Sequence, residues 1–182
     1  MLKKNLKLLL SEKIYSGRVV QLTVDTLEYS SGEKTIREVV EHPGGAVAVP
    51  FFPDGSLLLI QQYRHPLKGN VIELPAGKLD LNEDPLHCAQ RELQEETGYE
   101  SRQWTKLTAM LSTPGFCNEV LHIFLAENIS LSAQGQALEE GEQTIQLLRL
   151  PMNTILQMIE RREIVDGKTI VGIMMAQNKL YR

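Results

Sequence analysis

Short apolar runs separated by turn residues form the main pattern along this chain. Between Gly17 and His42, two β-rich runs flank "SSGEK", which predicts a hairpin. The runs "GGAVAVPFF" and "SLLLIQQYR", separated by "PDG", predict the two buried strands of a second hairpin. "NVIELPAG" predicts a further strand that ends at Pro75 and Gly77, and "VLHIFLAEN" and "QTIQLLRL" predict later strands.

Three segments show signals typical of helices. The first begins with Asp84 as N-cap and Pro85 at the first helical position, and Gly98 lies just past its end. The other two, "MNTILQMIERRE" and "KTIVGIMMAQNKL", have helical apolar periodicity. Because strands and helices are interleaved along the chain, we predict a mixed α/β domain built around one sheet.

Length and charge limit the kinds of protein that this chain can be. A globular chain of 182 residues buries roughly 70% of its unfolded surface and can support a proper core. We expect an amino-terminal β-rich dimerisation unit over residues 1–43 and the main domain over residues 44–182. The net charge of -4 gives no general attraction to nucleic acid or to an anionic membrane, so any phosphate ligand must be bound locally.

Cysteine usage and the amino terminus predict a cytoplasmic location. Cys88 and Cys117 form no CxxC pair and are typical of reduced thiols. Lys7 interrupts the apolar run of "MLKKNLKLLLSEK" and no small-residue cleavage site follows, so we predict no signal peptide. No run approaches the roughly 18 apolar residues that a membrane span requires.

Seven carboxylates lie in the stretch "GKLDLNEDPLHCAQRELQEETGYE". Successive helical residues turn by about 100°, so Glu92, Glu95 and Glu96 fall within one narrow arc of the first predicted helix. Glutamates held this close raise one another's pKa unless a cation lies among them. Mg²⁺ and Mn²⁺ prefer oxygen ligands and meet this need. A solvated acidic face is the alternative that composition alone favours.

The spacing of the acidic stretch favours the metal. From Gly77 to Gly98 the chain reads G, five residues, E, seven residues, then RELQEETG. This pattern resembles the Nudix box, GX5EX7REUXEEXGU with U aliphatic, and it matches at every position except the last. There, Tyr99 replaces an aliphatic residue, a packing change that we do not expect to disturb metal binding.

The resemblance implies a Nudix fold, in which a mixed β-sheet is sandwiched between helices, here with a small amino-terminal β-hairpin unit. It implies a hydrolase that cleaves a nucleoside diphosphate linked to another group and uses Mg²⁺, with Mn²⁺ as a second possible cation. Glu92 and Glu96 would be the principal metal ligands, joined by the backbone carbonyl of Ala76. Glu95 would contribute directly or through water.

Other positions of the box also have expected roles. Gly77 would permit a chain reversal after the strand. Arg91 would pair with Glu95 one turn later and hold the outer carboxylates in place. The carboxylate of Glu83 would reach either back to Arg91 or toward the site, and the sequence leaves both possibilities open.

Residues outside the box are similar to the ADP-ribose pyrophosphatase subgroup. Pro114 lies 16 residues past Gly98 and is followed by Gly-Phe, and "HPGGAVAV", "QQYRHP" and "ELPAGKLD" are similar to the same subgroup. The resemblance implies cleavage of ADP-ribose to AMP and ribose 5-phosphate by a homodimer. The alternatives are a pyrophosphatase for another nucleotide sugar such as GDP-mannose, and an ADP-ribose sensor without activity. The intact box argues against the sensor.

Several residues are candidates for binding the substrate. Arg64, at the end of a predicted buried strand, would clamp the phosphates through its fork of donors, although a surface arginine is the alternative. The subgroup contacts adenine and ribose from the strand that holds Arg37 and Glu38, and it places Pro114 near the site. Two aromatic residues could stack on a base, but core packing is favoured for both: Tyr63 and Phe116.

A catalytic base is also required, because glutamates bound to metal are poor proton acceptors. The loop "ALEEGEQTI" offers Glu139, Glu140 and Glu142 just before a predicted strand. In similar enzymes a glutamate on this loop reaches over the site, and register favours Glu142, with Glu140 second. The predicted catalytic residues are Glu142, Glu95 and Arg91. The alternative for the loop is an acidic surface segment without a catalytic role.

Overall fold

The computed structural model of this protein describes residues 6–138, 140 and 143–181. Contacts divide the chain into two compact units. The first holds the residues up to Gly44 together with Leu111–Val120, and the second holds Gly45–Met110 together with the residues from Leu121 onward.

The first unit contains a three-stranded antiparallel sheet. Its strands, in spatial order, are β1 (Leu6–Ser16), β2 (Gln21–Tyr29) and β3 (Lys34–Glu41). The predicted hairpin is confirmed as β2 and β3. Strand β1 was not predicted from its sequence, because all eleven of its residues are exposed and two register irregularities interrupt the alternation of apolar and polar positions.

A loop of the first unit lies along β3. The backbone N–H of Val40 donates to the carbonyl of Phe116 at 2.7 Å, and the N–H of Asn118 donates to the carbonyl of Val40 at 3.2 Å. The side-chain oxygen of Asn118 accepts from the backbone N–H of His42 at 2.8 Å. These bonds fix the Pro-Gly-Phe segment beside the strand.

The second unit is built on a seven-stranded mixed sheet. Its strands are β4 (Gly45–Phe51), β5 (Ser56–Arg64), β6 (Gly69–Glu73), β7 (Ala76–Lys78), β9 (Gln103–Leu111), β10 (Val120–Glu127) and β12 (Gln146–Pro151), while β8 (Tyr99–Glu100) and β11 (Ser130–Leu131) form a separate pair. The sheet order is β12-β5-β4-β10-β9, with β6 paired to β5 and β7 paired to β4. Strands β4 and β10 are parallel, and β5 is antiparallel to its neighbours.

Helices cover both faces of this sheet. They are α1 (Pro85–Thr97), α2 (Met152–Glu160) and α3 (Gly167–Leu180). Along β4, Val47 and Val49 belong to the core that includes residues of α2 and α3, whereas Ala46 and Ala48 belong to the clusters that include residues of α1. A strand buried on both faces reads as one continuous apolar run, which explains "GGAVAVPFF". The predicted mixed α/β class, with a β-sheet sandwiched between helices, is confirmed. In the described part of the chain, no helix has the length and apolarity that crossing a membrane requires.

The limits of α1 agree with the sequence prediction. The side chain of Asp84 accepts hydrogen bonds from the N–H groups of Leu86 and His87 at 2.8 and 3.3 Å. At the other end, Gly98 adopts a left-handed φ of 73° and its N–H donates to the carbonyl of Gln94 at 2.8 Å. Local capping therefore sets where the acidic helix begins and ends.

Candidate active site

Gly77 lies where the backbone of β7 meets the acidic helix. A Cβ atom added at this position would lie 1.8 Å from Oε1 of Glu92. Gly77 is not among the described glycines with left-handed φ, so its role does not rest on that backbone conformation. The glycine is needed because its missing side chain leaves room for the Glu92 carboxylate against the backbone.

The two principal candidate metal ligands are buried. Glu92 is 8% exposed and Glu96 is 2% exposed, so the alternative of a solvated acidic face is wrong for these two residues. The backbone N–H of Ala76 donates to Oε2 of Glu96 at 2.9 Å. Glu95 is half-buried on the same helix. The structure thus brings the predicted set Ala76, Glu92, Glu95 and Glu96 into one region.

Arg91 binds three carboxylates at once. Its Nη1 donates to Glu92 Oε1 at 2.6 Å and to Glu95 Oε2 at 3.0 Å. Its Nε and Nη2 donate to the two oxygens of Glu83, each at 3.0 Å. The hydrogen bonds to Glu83 are the main reason that the pKa of Arg91 lies above its ordinary value. Glu83 therefore reaches back to Arg91, which decides between the two possibilities that the sequence left open.

The same arrangement changes the acidity of two neighbouring groups. Hydrogen bonds from Arg91, together with the backbone N–H of Asp80 at 2.9 Å, lower the pKa of Glu83 to about 2. Burial raises the pKa of the Cys88 thiol to about 12. A thiol this weakly acidic stays protonated at neutral pH, so Cys88 is a packing residue here and not a nucleophile.

The donor chemistry of this region fits a hard divalent cation. Its oxygen donors are three carboxylates and the Ala76 carbonyl, the ligand types that Mg²⁺ and Mn²⁺ prefer. The carboxylate of Glu92 already fills the place of a Gly77 side chain. Among the described residues, no three His, Cys, Asp or Glu side chains form a preassembled metal cage. Instead, the Glu92 carboxylate accepts a hydrogen bond from Arg91, and the Glu96 carboxylate accepts one from the backbone N–H of Ala76.

Arg64 is paired with a carboxylate that the sequence did not single out. Its Nε and Nη2 donate to the two oxygens of Glu73 at 2.9 and 2.6 Å. Lys168, at the start of α3, donates to Oε2 of the same carboxylate at 2.7 Å. Glu73 ends an apolar strand in the sequence, and Lys168 lies 95 residues further along, so no local pattern links them.

The loop that carries the candidate bases is attached to the end of α1. The N–H of Ala137 donates to the carbonyl of Glu95 at 2.9 Å, and the side-chain amide of Gln136 donates to the carbonyl of Glu96 at 2.7 Å. Glu140 is exposed. The other two candidates lie outside the described residues: Glu139 and Glu142.

The remaining candidates for substrate binding belong to the first unit. Arg37 is exposed and donates to the Thr35 hydroxyl at 2.7 Å, and Glu38 and Pro114 are also exposed. Two exposed aromatic side chains contradict the expectation of core packing, Phe116 in this unit at 56% and Tyr63 in the second unit at 46%. The ring of Tyr63 pairs edge to face with that of His65, with 6.4 Å between the ring centroids.

Comparison with known proteins identifies the family of this chain. The sequence model of the NUDIX domain matches residues 41–165. The chain is 38% identical over 173 residues to the ADP-ribose pyrophosphatase of Bacillus subtilis (strain 168), which covers 95% of this chain and 93% of that protein. This chain belongs to the Nudix family.

Two further proteins are similar to this chain over nearly its whole length. It is 38% identical over 171 residues to the methanol dehydrogenase activator of Bacillus methanolicus, covering 94% of this chain and 92% of that protein. A solved structure described as the crystal structure of ADP compounds hydrolase superimposes with a TM-score of 0.85 and covers 97% of this chain and 95% of its own. With 19% identity, that structure supports the fold alone.

Proposed function

We propose that this protein is a divalent-metal-dependent hydrolase that cleaves ADP-ribose to AMP and ribose 5-phosphate. The observation that carries the proposal is the buried set of Glu92 and Glu96 beside the Ala76 backbone, in a chain 38% identical to an ADP-ribose pyrophosphatase over 95% of its length. Water adds to one phosphorus, the bridging P–O bond breaks, and two phosphate monoesters leave.

Glu92, Glu96 and the carbonyl of Ala76 would hold the metal, with Glu95 contributing directly or through water. Nudix hydrolases use a divalent metal, and Mg²⁺ is the expected one, with Mn²⁺ as a substitute. Such a cation neutralises the phosphate oxygens and orients the attacking water. Arg91 balances the charge of Glu92 and Glu95 and fixes their side chains, because it donates to both of them, and also to Glu83, within 3.0 Å.

Glu142 would accept the proton of the attacking water. Support comes from the loop that leads to it, because its residues Gln136 and Ala137 are hydrogen-bonded to the backbone carbonyls of Glu96 and Glu95. These hydrogen bonds attach the loop to the last turn of α1, the helix that carries the candidate metal ligands.

Arg64 would bind the diphosphate of the substrate. Its guanidinium is charged at every physiological pH and suits phosphate oxygens. Arg37, Glu38 and Pro114 would contact the nucleoside part.

We further propose a homodimer formed through the amino-terminal unit. We also propose a cytoplasmic location, which the two free cysteines support.

An assay over several nucleotide sugars tests the substrate. ADP-ribose, GDP-mannose and related compounds are incubated with the protein and Mg²⁺, and the products are separated and identified. We expect AMP and ribose 5-phosphate, with loss of activity in EDTA and recovery with Mg²⁺ or Mn²⁺. Faster turnover of GDP-mannose than of ADP-ribose would reject the assignment in favour of the alternative, and binding of ADP-ribose without cleavage would favour the sensor.

A further inference from the structure

The guanidinium of Arg64 is held by the buried carboxylate of Glu73. Glu73 is 3% exposed, and its two oxygens accept from Nε and Nη2 of Arg64. Bidentate hydrogen bonding of this kind fixes the plane of the guanidinium as well as its position. Among the described residues, Nη1 of Arg64 has no hydrogen-bond partner, and 39% of the side chain is exposed. One amino group of the fork is therefore left for a ligand.

A second cation shares the Glu73 carboxylate. Lys168 has only 13% of its side chain exposed, and it donates to Glu73 at 2.7 Å and to Asp166 at 3.0 Å. Burial opposes ionisation of Glu73, but the hydrogen bonds of Arg64 and the charge of Lys168 together hold the pKa of Glu73 below its ordinary value. The Glu73 carboxylate therefore stays ionised and accepts from both cations, which keeps the Arg64 guanidinium in a fixed position.

The chain that follows Glu73 links this group to the candidate metal ligands. The N–H of Leu74 donates to the hydroxyl of Thr169 in the first turn of α3 at 2.8 Å, and that hydroxyl donates to the N-cap carboxylate of the helix at 2.6 Å. Two residues later, the N–H of Ala76 donates to Glu96 at 2.9 Å. The first turn of α3 thus supports both the arginine and the segment that leads to the metal ligands.

We propose that Glu73 is a positioning residue that, with Lys168, orients Arg64 toward the diphosphate of the substrate. The inference rests on the proposed function, which gives Arg64 its phosphate ligand. It also makes α3 part of the site through Lys168. The competing explanation is an ion pair that only stabilises the fold.

A double-mutant cycle separates these explanations. Arg64→Ala and Glu73→Gln should each lower kcat/KM by about 10- to 100-fold, the worth of one charge-assisted hydrogen bond, and mainly by raising KM. The double variant should be no worse than Arg64→Ala, because Glu73 acts through Arg64. Multiplying effects in the double variant would overturn the proposal.

Two further measurements protect the test against unfolding and indirect effects. Glu73→Asp keeps the charge but is one methylene shorter, so it should fold and still lose activity, and full activity in this variant would contradict the proposal. Mn²⁺ affinity, titrated without substrate, should be unchanged in Glu73→Gln. An equal loss of metal affinity would mean that Glu73 acts through the metal ligands and not through Arg64.

Asp54→Asn is the matched control, because it breaks an Arg–Asp pair elsewhere in the chain, between Arg149 and Asp54 at 2.7 Å. It should leave kcat/KM unchanged. A large effect of this control would show that loss of any ion pair lowers activity, which would overturn the specific role of Glu73.

The outcome can be distinguished from failure of the proposed function. If the wild type hydrolyses GDP-mannose and not ADP-ribose, the proposed function fails, and the cycle is run with GDP-mannose because the diphosphate is common to both. A readout without turnover is the NMR signal of the Arg64 Nε–H. It should exchange slowly with water in the wild type and rapidly in Glu73→Gln, and equal exchange in both would overturn the proposal.

Discussion

At the scale of single residues, the close approach of Gly77 and Glu92 yields a direct prediction. Gly77→Ala places a Cβ 1.8 Å from the Glu92 carboxylate, which must move. We expect metal affinity to fall by roughly 10- to 100-fold, the usual cost of displacing the support of a ligand. The measurement is a Mn²⁺ titration, accompanied by thermal unfolding to show that the variant is folded.

Gly115→Ala is the control for Gly77, because a Cβ at Gly115 would meet nothing within 4 Å. Unchanged metal affinity in both variants would show that the Glu92 carboxylate is not a ligand, or that it moves aside without cost.

The depressed pKa of Glu83 predicts how stability depends on pH. Its ionised form pairs with Arg91, so its contribution to the free energy of unfolding is fully present above the ordinary pKa of 4.5. That contribution is lost as pH falls from 4.5 toward the folded value of about 2. Glu83→Gln should therefore reduce the loss of stability between pH 6 and pH 3.

Urea unfolding of the wild type and of Glu83→Gln at the two pH values measures this difference. Glu160→Gln, which removes an exposed carboxylate, should behave as the wild type does. Equal pH dependence in all three proteins would argue that the pair with Arg91 contributes nothing to stability.

Glu142 provides the prediction for catalysis. If Glu142 is the base, Glu142→Gln should keep metal and substrate affinity and lower kcat by roughly 10²- to 10⁴-fold, the usual worth of a positioned proton acceptor. Glu140→Gln has the same charge change on the same loop and is the control. A large defect in Glu140→Gln alone would shift the assignment by two residues, and a defect in neither would leave activation of water mainly to the metal.

At the scale of elements, the packing of α3 on the sheet limits which substitutions the helix tolerates. A Cβ at Gly172 would lie 2.6 Å from Leu74 Cδ1 and 3.2 Å from Val49 Cγ2. Alanine gains about 1 kcal/mol of helix propensity over glycine, but overpacking a filled core costs roughly 1–3 kcal/mol. Both contacted side chains are fully buried, so we expect Gly172→Ala to destabilise the protein by about 1 kcal/mol.

Gly167→Ala is the matched substitution in the same helix, where a Cβ would meet nothing within 4 Å. Denaturant unfolding of the two variants should give a lower midpoint for Gly172→Ala only. A gain of stability in Gly172→Ala would show that the interface between α3 and the sheet adjusts freely.

At the scale of the whole molecule, the exposed apolar side chains of the amino-terminal unit predict that the protein forms a dimer. Its sheet exposes large apolar side chains, among them Leu8 at 55%, Leu10 at 51% and Ile36 at 63%. A second copy of the chain is the expected cover for this surface, so light scattering at micromolar concentration should give the mass of a dimer. The double variant Leu8→Asp, Leu10→Asp should shift it toward the monomer.

The control for the dimer is Leu131→Asp, a leucine 73% exposed on β11 in the second unit, which should remain a dimer. A monomeric wild type would contradict the proposed assembly.

Local signals in the sequence determined the acidic helix and the family of the protein. Asp84 and Gly98 act on backbone groups within four residues, so the limits of α1 follow from short-range chemistry. The periodicity of the helix places Glu92 and Glu96 together in the same way. The β4 and β5 strands were equally readable, because burial on both faces requires a continuous apolar run.

Only the tertiary structure decided which distant groups meet. Strand β1 has no buried residue to mark it, and it forms because β2 supplies hydrogen-bond partners. Position 77 needs a glycine because the fold places the Glu92 carboxylate against its backbone. Glu73 and Lys168 are 95 residues apart, and neither has a distinctive local pattern. A charged residue is recorded in the sequence, but its partner is set by how the sheet and α3 pack, and that packing depends on the whole core at once.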